Sequence, residues 1–268
     1  MNFWTKLSVD YASQKNYLDE LYPVYPIVPN PRRTIKAELW NQVEIAYHER
    51  DDIGLVKSLL KLKLFPLKDS YVAHFRKDPS SIGKNPNTLQ RIVGNLYQMP
   101  LEKIYQKCTE PKETNRQIGP MFKKWLSQGT LGCDVYTDGT QFLNTQNNAV
   151  LNMSDAAMKN FAIEYLGYKR VKKGLDFIAR FHGKYIIAET KFLTDFGGHQ
   201  YAQFEDAVTT MNYELAIPNK LNAEVIRISI MDGALYIAGK NKMYKHLQEN
   251  PNEIILSALV LKEFLYSI

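Results

Sequence analysis

Cysteine is scarce in this chain: Cys108 and Cys133 are its only two in 268 residues. Two thiols cannot build a disulfide framework, and their spacing matches no metal-ligand pattern. None of the five histidines forms a metal pair with another His or Cys, so His48, His74 and His246 read as structural or exposed residues. No run of 18 apolar residues exists, which excludes an obvious membrane-spanning helix. The opening Met-Asn-Phe-Trp-Thr-Lys is followed by polar residues rather than by the apolar core of a signal peptide. There is no internal repeat and no low-complexity tract. With 45% hydrophobic and 23% charged residues, a folded, cytoplasmic protein in a reducing compartment is the expectation. The length allows one large domain or two small ones with ample core.

Basic residues are fewer in the second half, while acidic ones are spread almost evenly. Residues 1–130 carry 20 Lys and Arg against 13 Asp and Glu, whereas residues 131–268 carry 14 against 15. The first half is therefore basic and the second close to neutral, so the +6 net charge all comes from the first. A basic region suits a polyanionic partner. Solubility alone is the other reading of so modest an excess.

The most informative stretch is 174–203. Two runs rich in Ile, Phe and Tyr flank His182-Gly183, which predicts a β-hairpin with a two-residue turn. If Phe181 faces Lys184, paired residue numbers sum to 365, and Asp176 then faces Glu189. Side chains alternate with period two, so Lys191 shares the face of Glu189. Opposed carboxylates with Cβ atoms ~5 Å apart repel. A divalent cation removes that penalty, and Mg²⁺ takes one or two carboxylates and keeps several waters. A neighbouring Lys is placed to orient or deprotonate one such water, which is the equipment of metal-assisted phosphodiester hydrolysis. Of the 28 acidic residues, only Glu110 and Glu189 are followed two positions on by Lys. The Pro in Glu110-Pro-Lys112 disqualifies that segment as a strand. A solvated cross-strand cluster in an ordinary sheet is the competing explanation of Asp176, Glu189 and Lys191.

The pattern Asp176-x12-Glu189-x-Lys191 resembles that of the PD-(D/E)XK nuclease superfamily, and within it the chain looks like a type II restriction endonuclease. Leu175 stands where the family usually has Pro. The resemblance covers roughly residues 150–240. It implies metal held by Asp176 and Glu189, with Lys191 acting on water. It also implies a fourth catalytic candidate, because such enzymes often carry a Glu on the helix before the hairpin. Here that residue is Glu164, although a plain surface Glu fits the same position.

Around this hairpin the pattern predicts a succession of elements. Residues 1–34 show little regularity, and the proline-spaced Tyr22–Pro31 must be extended. Helices are expected over 35–64, 68–77, 87–98, 100–108 and 118–126, and short strands over 131–136 and 141–143. The 66–108 helices around a basic loop allow a helix-turn-helix-like reader, or a plain bundle. A helix between Ser154 and Gly167 precedes the hairpin, with Ser154 as N-cap and Gly167 as stop. Lys169, Arg170, Lys172 and Lys173 lie just before Asp176 and are candidate phosphate contacts. A helix over 199–215 follows the hairpin. His199, Gln200 and Gln203 open it and are candidate DNA contacts, since Gln can bond adenine bidentately. Simple capping and exposure is the alternative. A strand over 224–231 is expected to turn back through Asp232-Gly233 into a second hairpin, with two further elements near 242–248 and 257–266.

The fold class expected is α/β: a restriction-endonuclease-like mixed β-sheet core flanked by helices, with a mostly helical N-terminal region. The domains would be 1–128, basic and suited to DNA recognition, and 129–268, the catalytic core. The function expected is Mg²⁺-dependent hydrolysis of double-stranded DNA at a short specific sequence, by a homodimer. A repair nicking enzyme, a junction resolvase and a non-catalytic DNA-binding protein are the rivals.

Overall fold

The computed structural model describes residues 1–26, 32–111, 117–169, 174–239 and 241–268. The chain divides into two compact units, residues 1–27 with 114–268, and residues 28–113. The first unit thus takes in the amino-terminal segment and residues 114–128 as well as the region after 128.

The first unit is built on one six-stranded sheet, a mixed α/β core of the expected class. Its strands are β1 (Asp134–Tyr136), β2 (Ala149–Leu151), β3 (Phe177–Phe181), β4 (Lys184–Leu193), β5 (Val225–Gly233) and β6 (Ile255–Leu256), in that spatial order. β2, β3 and β4 are antiparallel neighbours, while β1–β2, β4–β5 and β5–β6 are parallel. All five residues of β3 are buried, which its unbroken apolar character allows once both faces are covered. Phe177, Ala179, Phe181, Ile186 and Ala188 pack on one face with Phe122 and Phe264, from α8 (Ile118–Ser127) and α13 (Leu261–Ser267). Ile178, Tyr185 and Ile187 pack on the other with Met158 and Phe161 of α10 (Asp155–Tyr165). Burying the alternate residues of each strand on opposite faces locks the register, since a slip of one residue would exchange them all. The β4–β5 crossover contains α11 (Gly198–Asn212), whose Phe204, Ala207 and Met211 pack with Leu193, Met231 and Met243, the last from α12 (Lys242–Glu249).

Several local expectations change. Residues 3–12 and 17–21 are helices, α1 (Phe3–Ala12) and α2 (Tyr17–Leu21). Apolar periodicity does not mark α1 because its buried residues are Thr5 and Ser8. Ser8 is held by polar chemistry instead: its hydroxyl donates to the Trp4 carbonyl at 2.9 Å and accepts the Ser257 N–H at 2.9 Å. The segment after α2 turns rather than extends, with the Val24 and Tyr25 N–H groups both on the Leu21 carbonyl; residues 27–31 lie outside the described residues. Residues 139–143 form helix α9 (Gly139–Leu143), not a strand, because the Asp138 carboxylate caps the Gln141 N–H at 2.9 Å.

The second expected hairpin is also absent. β5 runs through Asp232 to Gly233 and ends in a 3-10 turn at Ala234–Tyr236. Asp232 is fully buried, accepting from the Tyr25 hydroxyl (2.9 Å), the Tyr17 hydroxyl (3.3 Å), the Ser257 hydroxyl and the Ala258 N–H (3.2 Å). An Asp in a turn bonds its own nearby backbone, whereas here donors from distant segments give the carboxylate a buried site. Gly233 has φ 96°, and a Cβ there would come within 2.2 Å of the Leu193 carbonyl oxygen. The glycine marks close approach of β5 to β4, not a reversal.

The second unit is helical among its described residues: α3 (Ala37–His48), α4 (Asp52–Leu60), α5 (Ser70–Lys77), α6 (Pro86–Tyr97) and α7 (Leu101–Cys108). Their core is Val43, Leu55, Leu59, Phe75, Ile92, Leu96 and Ile104. Asp51 and Asp69 cap α4 and α5 through the Gly54 and Tyr71 N–H groups.

Candidate active site

The β3–β4 hairpin has the register worked out from its sequence. Phe181 faces Lys184, and each further pair through Phe177 and Ala188 sums to the same value. The turn residues His182 and Gly183 have φ of 49° and 79°, as the tight hairpin turn requires. At Asp176 the ladder ends. The Asp176 N–H donates to the Ala188 carbonyl at 3.1 Å, and its carboxylate folds onto β4 to accept the Thr190 N–H at 2.9 Å. The side chain is therefore fixed beside Glu189 and Lys191 by a backbone donor of the strand that carries them.

Glu189 is 2% exposed, a large cost for a carboxylate unless it is paired. One oxygen, Oε1, receives the Lys191 ammonium; the other, Oε2, accepts the hydroxyl of buried Thr210 on α11 at 2.8 Å. Lys191 also donates to the Thr190 carbonyl at 3.3 Å. Burial pushes the Asp176 carboxyl above its ordinary range. Lys191 and the Thr190 N–H pull it down, and the charges of Glu189 and Asp155 push it up again, with a net rise.

Asp176, Thr190, Lys191 and Phe192 share an open cavity of about 300 Å³ with Gln203 and Asp206 of α11 and Ile118 and Gly119 of α8. A Cβ on Gly119 would lie 3.8 Å from Asp176 Oδ1, so the first turn of α8 stands against the carboxylate, at the helix end that favours negative charge. A larger hollow of about 700 Å³, with Tyr17, Leu18, Phe192 and Ile237 in its walls, is mainly apolar. It holds no paired carboxylates with a lysine, so the chemistry points to the smaller cavity.

The other expected residues are spread more widely. Glu164 is exposed and pairs with Lys220 at 2.9 Å, which lowers its carboxyl pKa. It sits nine residues along α10 from Asp155, roughly 13 Å down the axis, and the structure does not bring it to Asp176. Gln200 is 4% exposed, and its amide is spent on Thr194: Nε2 donates to the hydroxyl at 3.1 Å, and Oε1 accepts the N–H at 3.4 Å. It braces the loop between β4 and α11. Gln203, three residues on, does not share its side. Three residues on a helix turn the side chain about 60° away, enough to carry Gln203 out of the core and into the cavity. His199 is exposed and lies 2.9 Å from Gln203. Lys169 is exposed, and Arg170, Lys172 and Lys173 lie outside the described residues.

Three residues of the site carried no signal on their own. Asp155, the first residue of α10, pairs with Lys123 of α8 and acts on Asp176. Asp206 and Thr210 come from α11. The trace they leave is collective: Gln203, Asp206 and Thr210 are polar residues at helical spacing beside an apolar stripe, on the side turned to β4.

Among the described residues no group of three or more His, Cys, Asp or Glu side chains forms a metal cage. Buried Glu189 and half-buried Asp176, with the one ammonium of Lys191 held on Glu189, nevertheless leave a negative excess, and Mg²⁺ needs no more protein ligands than that. Among the described residues no helix is long and apolar enough to cross a membrane. Comparison with curated proteins and with solved structures gave no match. A family model described as Tsp45I type II restriction enzyme matches residues 2–268, and with the hairpin geometry already in place the chain belongs to that family of site-specific DNA endonucleases.

Proposed function

We propose that this enzyme hydrolyses phosphodiester bonds of double-stranded DNA at a short specific sequence, using Mg²⁺ held by Asp176 and Glu189. The observation that carries the reading is the cluster at the end of the hairpin: a carboxyl raised by burial and by its acidic neighbours, beside a buried carboxylate held by Lys191. Mg²⁺, when bound, supplies Lewis-acid charge stabilisation at the scissile phosphate. Asp176 and Glu189 supply its oxygens. Thr210 holds Glu189 in one rotamer, and the Thr190 N–H does the same for Asp176. Lys191, fixed by Glu189 and the Thr190 carbonyl, orients the attacking water and takes part in moving its proton. Glu164 has no part in this arrangement.

Lys169, Arg170, Lys172 and Lys173 would touch phosphates beside the cut. Gln203, in the cavity, is a better reader of bases than Gln200, whose amide is already used. A twofold dimer would place one site on each strand, which favours a homodimer on a palindromic or nearly palindromic sequence. The basic first half would add DNA recognition, and a cytoplasmic location fits a protein acting on intracellular DNA.

The test is a plasmid digest with purified protein and Mg²⁺. Discrete fragments with defined ends are the expected result, stopped by EDTA. Nicks alone, or cuts only at branched DNA, would replace this reading with a nicking enzyme or a junction resolvase. Sedimentation of the DNA complex should give two chains per duplex.

A further inference from the structure

The helical unit holds most of the molecule's charge imbalance. Residues 28–113 contain 15 Lys and Arg against 10 Asp and Glu, a net +5 of the chain's +6. Part of that excess converges on a hollow of about 510 Å³ within this unit. Arg33, Lys36, Lys61 and Lys63 line it, with Leu39 and Cys108 among its apolar walls. Neither Glu38, in the first turn of α3, nor Glu110, two residues past Cys108, is among the residues lining it. Burial pushes the Cys108 thiol up to about 12, so it stays neutral there.

Two independent features give this hollow an unmet demand for an anion. The first is Arg33. Its backbone N–H is clipped to the Thr109 carbonyl at 2.9 Å, which sets the residue against the end of α7. Its Nε is buried and has no hydrogen-bond partner among the described residues. A buried charged donor without an acceptor is costly, and a guanidinium edge matches a phosphate in a bidentate manner. The second is the start of α3. Lys36 is its N-cap, and no side chain caps the first-turn N–H groups. A twelve-residue helix with an uncapped, positive end adds to the field of the four cations. Lys61 donates to Gln42 Oε1 at 2.9 Å, which ties that ammonium to α3 instead of leaving it to swing in solvent.

We infer that this hollow is a phosphodiester-binding site for the backbone of duplex DNA. It gives the helical unit a sequence-independent grip, whichever residues read bases. The inference rests on the chain's being a DNA enzyme and concerns a place where no reacting group lies.

The experiment measures binding of a fluorescent, random-sequence duplex to the full-length protein in EDTA, so that no cleavage intervenes, across a salt series. Arg33→Gln, and separately Lys61→Gln with Lys63→Gln, should lower the slope of log K against log salt by about one for each phosphate that is no longer neutralised. The two lysines are exposed, so that variant keeps its fold even if Arg33→Gln does not. Lys103→Gln, an exposed lysine of the same unit outside the hollow, should leave the slope unchanged. Wild-type slopes in both sets of hollow variants, or an equal drop in Lys103→Gln, would overturn the assignment. Titration with inorganic phosphate separates the remaining source. If phosphate binding is lost in the variants while the DNA slope is not, the hollow takes a small phosphate and the DNA assignment falls. Wild-type protein that binds no duplex at all would refute the DNA reading itself, an outcome distinct from failure of the hollow.

Discussion

Thr210→Val is the sharpest probe of the site, because it deletes one hydroxyl and keeps the shape. Thr210 is 3% exposed, and its hydroxyl donates to Glu189 Oε2 at 2.8 Å. The same hydroxyl also lies 2.9 Å from the Asp206 carbonyl, so its single proton is shared. A hydrogen bond to a charged group contributes about 1.5–3 kcal/mol, and the sharing argues for the lower half, ~1.5–2 kcal/mol. Val supplies no donor, so Glu189 would keep Lys191 on one oxygen and forgo the Thr210 hydroxyl on the other. In a unit of this size that is about 2–4 °C of melting temperature per kcal/mol, hence a fall of roughly 3–8 °C. Under the proposed mechanism the same change frees the carboxylate to rotate, and cleavage should slow by about tenfold to thirtyfold in saturating Mg²⁺. Thr210→Ser restores the hydroxyl and should recover most of both effects. The assays are thermal unfolding in EDTA and single-turnover cleavage of plasmid DNA. If Thr210→Val melts and cleaves like wild type, the hydroxyl does not hold Glu189. If it melts lower but cleaves normally, Glu189 is a structural carboxylate and the metal assignment fails.

Four further outcomes are expected. Asp176→Asn and Glu189→Gln should each abolish Mg²⁺-dependent cleavage while leaving DNA binding in EDTA or Ca²⁺ largely intact; wild-type cutting by either would remove it from the site. The Asp176 carboxyl is raised in the folded protein, so its ionisation costs stability as pH climbs through that raised value, and Asp176→Asn should melt no lower than wild type near neutrality. Asp232, raised by burial to about 6 from an ordinary 3.8, acts in the same sense on a larger scale: its contribution is complete below about 4, is lost as pH rises through about 6, and amounts to on the order of 3 kcal/mol. Melting curves from pH 4 to 8 should show that decline in wild type and not in Asp232→Asn, and parallel curves would contradict it. Finally, Gln203→Ala should alter the base preference or the rate on a randomised-site library, whereas Gln200→Ala should keep the preference and cost about 1 kcal/mol of stability, because Thr194 then has no amide to bond; the reverse pattern would return base reading to Gln200.

Much of the β3–β4 strand pair was legible in the amino-acid order. A two-residue turn between apolar runs sets the hairpin register, and period two then assigns Asp176, Glu189 and Lys191 to one face, because both rules are local. Helix α10 was equally readable from Ser154 and Gly167, where capping chemistry marks both ends. The sequence by itself also determined that the basic charge gathers in one half, since charge is a matter of composition. What only the tertiary structure decided depends on contacts between distant segments. α1 is invisible to apolar periodicity because its buried Ser8 is satisfied by Ser257, 249 residues away. Asp232-Gly233 reads as a turn until Tyr17, Tyr25 and Ser257 supply donors for a buried carboxylate. Gln200 and Gln203 look equivalent along the chain, yet packing of α11 on the sheet buries one and opens the other to the cavity. Glu164 lies on α10, as does Asp155, but a helix pattern does not say which of its turns meets the strand end. The acid of α10 that acts on Asp176 is Asp155, in the first turn, a juxtaposition set by packing of the helix on the sheet and carried by no single local signal.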